Sequence, residues 1–454
     1  MSEKTYDGSV GDRLDRLPLS KFHTKFTLFV TGGEFIITFV LIGVGGLLDL
    51  VSQSLHLSTD IATYVMPTSF YAGMFIGTIS FGRLADLYGR RLIYFFNLLI
   101  FGIGAIIAGL MSNYIAIAVF MVIAGSGVGA EIPLGDTYIS ETMTKENRGT
   151  KLAWVYTIAI ISAPLGAFWL LEMSKWNLDY SWRVFLIALG AGALIFQAVR
   201  WRMKESPRWL ESVGRYDEAY KLTTEIEAEV MKEKNIKSLP PVNKYSQVLN
   251  EKPKMRDLFD KKLRKNSVMV LIFQYAQSGV FFGFTALVPT ILVDKGFSIV
   301  STLLYTMIIY SGFVIGSIAN IFYIDKIERK FGVVGFIILA GVFGIIFGLS
   351  NTSDELMIFG FLVAFFLWNM SNFFHQYQAE IFPTKLRGTG TGFGQSINAL
   401  ASASVPTLLI LFVLVHGTLL VFSVLGILVA VVVVDIMLFG PKTSNKELED
   451  IVNL

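Results

Sequence analysis

The chain has 454 residues, 53% of them hydrophobic, 16% charged and 14% aromatic, with a net charge of +3 and no cysteine. A soluble protein carries about a quarter charged residues, so this composition excludes an ordinary water-soluble enzyme, and the missing cysteines exclude disulfides and thiolate metal sites. The apolar residues run in long uncharged stretches without period-2 alternation, which excludes strands as the main element; about 20 such residues cross a bilayer as a helix.

Twelve stretches predict an all-α membrane protein: 24–48, 60–82, 91–111, 113–140, 149–172, 181–200, 267–293, 299–324, 331–350, 355–379, 388–413 and 416–439. With both termini cytoplasmic, every Lys and Arg of the 38 except Lys175, Arg183 and Lys295 lies inside. That asymmetry sets the orientation and accounts for the positive charge without nucleic acid. The polar leader 1–23 carries Pro18 and a short surface helix, and the first span lacks the cleavage site of a signal peptide.

Glu34 is the only charge in the first span and sits near mid-depth. A lone carboxyl there is costly and marks a functional candidate. The second span holds Gly73 and Gly77, a spacing that lets helix backbones approach closely, and runs into GRLADLYGRR (Gly82 to Arg91). The fourth span ends in GAEIPLGDTYISETMTKENRG (Gly129 to Gly149), with Glu131 well inside, Asp136 near the border and Glu141 and Arg148 beyond. Glu131 stands about 15 Å of helix rise from Glu141, and it lies about 140° around the helix from Asp136.

Much of this pattern recurs 239 residues later: Gly73, Gly77, Asp86, Arg90, Glu141, Arg148 and Gly149 match Gly312, Gly316, Asp325, Arg329, Glu380, Arg387 and Gly388. The intramembrane acids do not recur, since Glu131 maps onto Met370 and Asp136 onto His375. The chain is therefore two six-helix copies of one plan in the same orientation, with the acidic chemistry in the first. The division is a bundle 1–200, a cytoplasmic linker 201–266 with short helices, a bundle 267–440 and a cytoplasmic tail 441–454. In the linker, 217–234 reads as an amphipathic helix whose charges form a solvated face.

Three groups of residues carry the chemistry. Glu34, Glu131 and Asp136 are candidate proton-coupling acids, because a desolvated carboxyl can load and release a proton near neutral pH. No Lys or Arg lies inside a span away from its ends, so these acids are expected without a cation. Trp368, Asn369, Asn372, His375 and Gln376 share about 120° of one helix face; Gln395 and Asn398 share a face of the next span, and Gln274 and Gln277 cluster in the seventh. These neutral groups are candidate substrate contacts, with His375 an alternative titrating group. Asp86, Arg90, Glu141 and Arg148 with Asp325, Arg329, Glu380 and Arg387 form a charge lattice at the cytoplasmic mouths, which suits a gate. No cofactor or metal is expected.

GRLADLYGRR resembles the loop 2–3 signature of the major facilitator superfamily. ESPRWLESVGRYDEA (Glu205 to Ala219), EIFPTKLR (Glu380 to Arg387) and PKTSNKELEDI (Pro441 to Ile451) are similar to its sugar-porter branch in the broad sense. GAEIP (Gly129 to Pro133) and FFGFTALVPTIL (Phe281 to Leu292) resemble organic-acid and nicotinate transporters and the synaptic-vesicle-protein-2-like group. The Arg found early in the fourth span of sugar porters is absent, with Met121 near its place. The resemblance implies the major facilitator fold and alternating access, with the charge lattice holding the cytoplasmic side shut. The expected function is a monomeric transporter in the lipid of the cell membrane that moves a small polar organic solute with protons. Alternatives are an uncoupled facilitator or a nutrient sensor. No phosphate loop, HExxH motif or soluble domain supports an enzyme.

Overall fold

The computed structural model describes residues 8–129, 131–144, 147–175, 178–242, 254–324, 326–382, 386–409 and 417–443; within its helices the side chains of Asp86, Arg148 and Arg387, among others, are not described. The first half comprises α1 (Val10–Asp15), α2 (Lys21–Ser54), α3 (Thr59–Thr63), α4 (Ser69–Tyr88), α5 (Arg90–Leu110), α6 (Tyr114–Gly129), α7 (Glu131–Thr142), α8 (Arg148–Ile160), α9 (Ser162–Ser174) and α10 (Leu178–Arg200). Next come α11 (Pro207–Ser212) and α12 (Tyr216–Lys234), then α13 (Arg264–Asp294), α14 (Ile299–Ile321), α15 (Arg329–Leu349), α16 (Ser353–Glu380), α17 (Arg387–Leu408) and α18 (Thr418–Phe439). Pairing α3 with α4, α6 with α7, and α8 with α9 gives twelve transmembrane segments. Ten are long and apolar enough on their own to cross a membrane, among the described residues. The second segment is broken by a π-helical turn at Tyr64–Thr68 around Pro67, which has no N–H to give to the helical ladder.

The recurring glycines are close-approach devices in both copies. A Cβ on Gly73 or Gly77 would stand 2.0 Å from the carbonyl oxygen of Val122 or Ser126, and one on Gly125 would stand 1.9 Å from that of Phe70. Helices α4 and α6 thus touch backbone to backbone. In the second half, Gly312 and Gly316 meet the carbonyls of Phe361 and Phe365 at 2.4 and 2.6 Å from the same hypothetical atom. Two apolar cores largely follow the halves, but Tyr156, Ile160, Ala163 and Ala167 of α8 and α9 join the second half's core, and Ala399 of α17 joins the first half's.

The halves meet through α4 on α17, α8 and α9 on α14, and α2 on α13. Away from the linker, Thr68 and Thr407 hydroxyls lie 3.0 Å apart and the Tyr71 ring meets Phe282 edge-on at 5.3 Å. Nearer the linker, Thr157 Oγ1 and Ser317 Oγ are 2.8 Å apart.

The linker is not simply a solvated face. Helix α12 buries Ala219, Ile226 and Val230 against Val10 and Leu14 of α1 and Trp209 and Leu210 of α11. Glu227, expected to face water, accepts from Arg13 at 2.5 Å and Arg16 at 2.7 Å. Burial alone would raise its carboxyl, but the hydrogen bonds and charges of the two arginines hold it below the usual carboxylate range. The amino-terminal leader therefore docks on the linker, at the end where α2 begins.

Candidate functional site

Glu34 on α2 and Glu131 at the start of α7 are both buried. They are not without a cation. Arg200, the last residue of α10, is only 3% exposed and donates to Glu131 Oε1 in a short contact. The expectation failed on side-chain direction. A helical Cα–Cβ bond tilts toward the helix N-terminus, so an Arg at the C-terminal end of α10 reaches back into the bundle. Its remaining bonds go to the carbonyls of Phe29 (3.3 Å) and Tyr94 (3.4 Å), and its guanidinium lies 3.8 Å from the Tyr94 ring centroid. Gly33 is required for the pairing, since a Cβ there would stand 1.8 Å from Arg200 Nη2 and 2.1 Å from Glu131 Oε1. Gly135 leaves similar room for Glu34 Oε1 and the Tyr94 hydroxyl, 2.9 and 3.4 Å from its hypothetical Cβ. Glu34 Oε1 and Glu131 Oε2 have no hydrogen-bond partner among the described residues. The guanidinium thus pairs with Glu131, and the buried Glu34 carboxyl lies beside Tyr94 with no ion pair of its own among the described residues.

Asp136 turns the other way around α7 and reaches the second half. Tyr156 of α8 donates to Asp136 Oδ1 at 2.6 Å, His375 Nδ1 of α16 lies 3.7 Å from Asp136 Oδ2, and the Tyr156 hydroxyl is 3.4 Å from the same nitrogen. The Tyr156 and His375 rings overlap with centroids 4.7 Å apart. Asp136 and His375 occupy the same position in the two copies, 239 residues apart. Parallel repeats about an axis along the membrane normal bring such axis-facing positions together at one depth. Tyr156 was not foreseen, because a Tyr within an apolar span carries no distinctive signal.

In the second half, the amides form a chain. Gln277 Nε2 donates to Gln274 Oε1 at 2.8 Å, Asn398 Nδ2 donates to the same oxygen at 3.3 Å, and Gln274 Nε2 donates to Gln378 Oε1 at 2.8 Å. Gln378 was not expected, although it lies two residues beyond Gln376 on α16. Asn372 Nδ2 donates to Ser317 at 3.4 Å. Asn369 is fully buried and satisfied inside the half, accepting from Asn320 at 3.0 Å and from Tyr323, so it is positioned for packing within the bundle. Trp368 packs against Phe281 and Phe313, and its Nε1 has no partner among the described residues. Gln376 is half-buried and Gln395 is buried.

At the linker end, Arg90 pairs with Glu141 at 3.3 Å and Arg329 with Glu380 at 3.5 Å, each within its own half. Asp325 lies outside the described residues, as do the side chains of Asp86, Arg148 and Arg387. Glu205 accepts from the backbone N–H groups of Arg90 and Arg91, each at 3.1 Å, and of Ser206 at 2.9 Å. Burial pushes its carboxyl up against these bonds. The second copy also holds an acid in a span. Asp435 of α18 is 3% exposed, and neither carboxyl oxygen has a partner among the described residues. The acids are therefore not confined to the first copy; Asp435 stands alone in VVVVDIMLF, a signal the repeat comparison passed over. Between the halves, away from the linker, Thr63, Tyr71, Phe282, Thr285 and Thr407 line a cavity of about 40 Å³, little more than one water's share of liquid volume.

The family model for "Sugar (and other) transporter" matches residues 21–454. The chain is 30% identical to the arabinose-proton symporter of Bacillus subtilis, over 90% of this chain and 89% of that protein. It is 24% identical to the niacin transporter NiaP of Acinetobacter baylyi, over 97% and 98%. A solved structure of the proton:xylose symporter XylE bound to 6-bromo-6-deoxy-D-glucose superposes with a TM-score of 0.74 at 19% identity, over 95% of this chain and 98% of that one. Twelve helices in two related sixes, joined face to face around buried polar groups, are the major facilitator fold, and the chain belongs to the sugar (and other) transporter family of that superfamily.

Proposed function

We propose that this transporter moves a small polar organic solute together with protons by alternating access. The observation that carries the reading is two buried carboxyls, Glu34 and Glu131, in one bundle with one guanidinium, Arg200, which pairs with Glu131. Three charges there sum to −1, and a buried cluster is neutral only when it also holds one proton. Water that reaches the cluster can take that proton, and neutrality returns by reloading it. Asp136, Tyr156 and His375 link this cluster to the second half, where the amides of Gln274, Gln277, Asn372, Gln395 and Asn398 with Trp368 suit a hydrogen-bonded, partly aromatic solute. Organic acids, nicotinate-like aromatic acids and sugars all match such a surface. The named activities of the arabinose-proton symporter and the niacin transporter support both the coupling and the solute range.

The bundle 1–200 then supplies the coupling acids and the bundle 267–440 the substrate surface. The linker 201–266 and tail 441–454 lie in the cytoplasm, and the monomer acts in the cell membrane. The cytoplasmic charge lattice serves as the gate. The closed Glu131–Arg200 pair favours one alternative, an uncoupled facilitator in which that pair is structural. Uptake of labelled niacin, arabinose and xylose into proteoliposomes separates the two: accumulation driven by a proton gradient supports coupling, and mere equilibration supports the facilitator.

A further inference from the structure

A second chamber, of about 210 Å³, lies in the outer wall of the first half between α5, α7 and α10. Its mouth is at the linker end, where Arg91 and Trp201 are exposed; Arg91 Nη2 donates to the Trp201 carbonyl at 3.2 Å. Its floor is Tyr94, Gln197 and Arg200. Gln197 is 2% exposed, yet among the described residues neither its amide nitrogen nor its amide oxygen has a hydrogen-bond partner; the same holds for Arg200 Nε and the Tyr94 hydroxyl. Buried polar atoms are rarely left unpaired, and ordered water is the usual partner. The chamber is large enough for roughly seven waters at about 30 Å³ each. The floor presents donors and an acceptor together, which water satisfies. A lipid phosphate offers acceptors alone and would face the Glu205 carboxylate in the wall. Arg200 is shared between this floor and the acid cluster, so the chamber ends against the Glu131 pair.

We propose that this chamber is a water-filled side port, through which the Glu34–Glu131–Arg200 cluster exchanges protons with the linker-side solution while the central path between the halves is closed. The deprotonation step breaks the carboxyl O–H, sends the proton to a port water as hydronium and leaves the negative charge on the cluster beside Arg200. The titratable and charged groups around the route are Glu34 of α2, Arg91 and Tyr94 of α5, Glu131, Asp136 and Tyr138 of α7, Tyr156 of α8, Arg200 of α10, and Glu205. On the central path, Asp136–His375 and Thr157–Ser317 join the two halves near the linker end.

The proposal rests on the proton-coupling reading, and two measurements keep the failures apart. In this cysteine-free chain, Gln197→Cys is expected to react with a charged, membrane-impermeant methanethiosulfonate from the linker side only. No reaction, or reaction only with a lipid-soluble maleimide, overturns the port. Separately, infrared spectroscopy follows hydrogen–deuterium exchange of the protonated-carboxyl band that Glu34→Gln removes. Gln197→Leu is expected to slow that exchange about tenfold, the weight of one relay hydrogen bond, with Gln197→Asn restoring it. Unchanged exchange in Gln197→Leu overturns the port. Absence of any such band counts against proton coupling instead, and the labelling alone then decides whether the port is wet.

Discussion

Replacing Glu131 by Gln strands Arg200. The guanidinium is 3% exposed, its carboxylate partner is 0% exposed, and only backbone carbonyls at 3.3 and 3.4 Å remain to it. Breaking a buried ion pair by removing one partner costs about 3–5 kcal/mol, because the other charge stays buried and uncompensated. Removing both charges is far milder, since a buried pair is often no better than apolar groups of the same volume. Glu131→Gln and Arg200→Met should therefore each destabilise strongly, while the double variant should recover about 2 kcal/mol or more of their summed loss. Glu34 limits the damage in the Glu131 variant, because it can supply the missing negative charge. Adding Glu34→Gln to Glu131→Gln should then lower stability further than Glu34→Gln does in the wild-type background. Thermal unfolding of purified protein, followed by loss of the monodisperse chromatographic peak, measures all of these. Strict additivity of Glu131→Gln and Arg200→Met would refute the reasoning, because it would mean that the two side chains do not share a buried pair.

Other perturbations read different links. Tyr156→Phe deletes the 2.6 Å bond to Asp136 and should cost about 1–3 kcal/mol, raising reactivity of cysteines placed near the linker end of the interface; unchanged reactivity would mean that Asp136, Tyr156 and His375 do not hold the halves together. Gly77→Val puts a Cβ 2.0 Å from the Ser126 carbonyl oxygen and should abolish a folded, monodisperse product on size-exclusion chromatography. Burial would raise the Glu227 carboxyl, but Arg13 and Arg16 hold it below the usual carboxylate range, so its docking stability is present above the unfolded pKa and is lost as pH falls through the folded one. Protection of residues 8–17 from hydrogen exchange, relative to the intrinsic rate at each pH, should fall in that acid window and hold at neutral pH.

Much of this was legible in the residues. Span positions follow from apolar length, and the repeat from seven matches at one offset. Glu34 and Glu131 stand out because charges are rare at mid-depth. What was not legible is direction. Arg200 reads as a residue at the end of a span, and only the tilt of its Cβ makes it an interior cation. Asp136 and His375 were recognisable as the same position in two copies, but their meeting needs the axis between the copies. Glu227 reads as one charge among many until α1 is seen to lie on α12. The π turn at Tyr64–Thr68 depends on how neighbours accept a missing N–H at Pro67, which local sequence does not specify.

The central claim is that Glu34 couples the proton to the solute. Glu34→Gln keeps the carboxyl's shape and fixes it in its neutral form, so it should leave the halves free to close and reopen. Counterflow of a transported solute at equal pH, set beside uptake driven by an inward proton gradient, measures the two functions in one preparation. Counterflow near the wild-type rate with accumulation lost is the result expected. If both persist at wild-type rates, Glu34 does not carry the proton and the account is wrong at its centre.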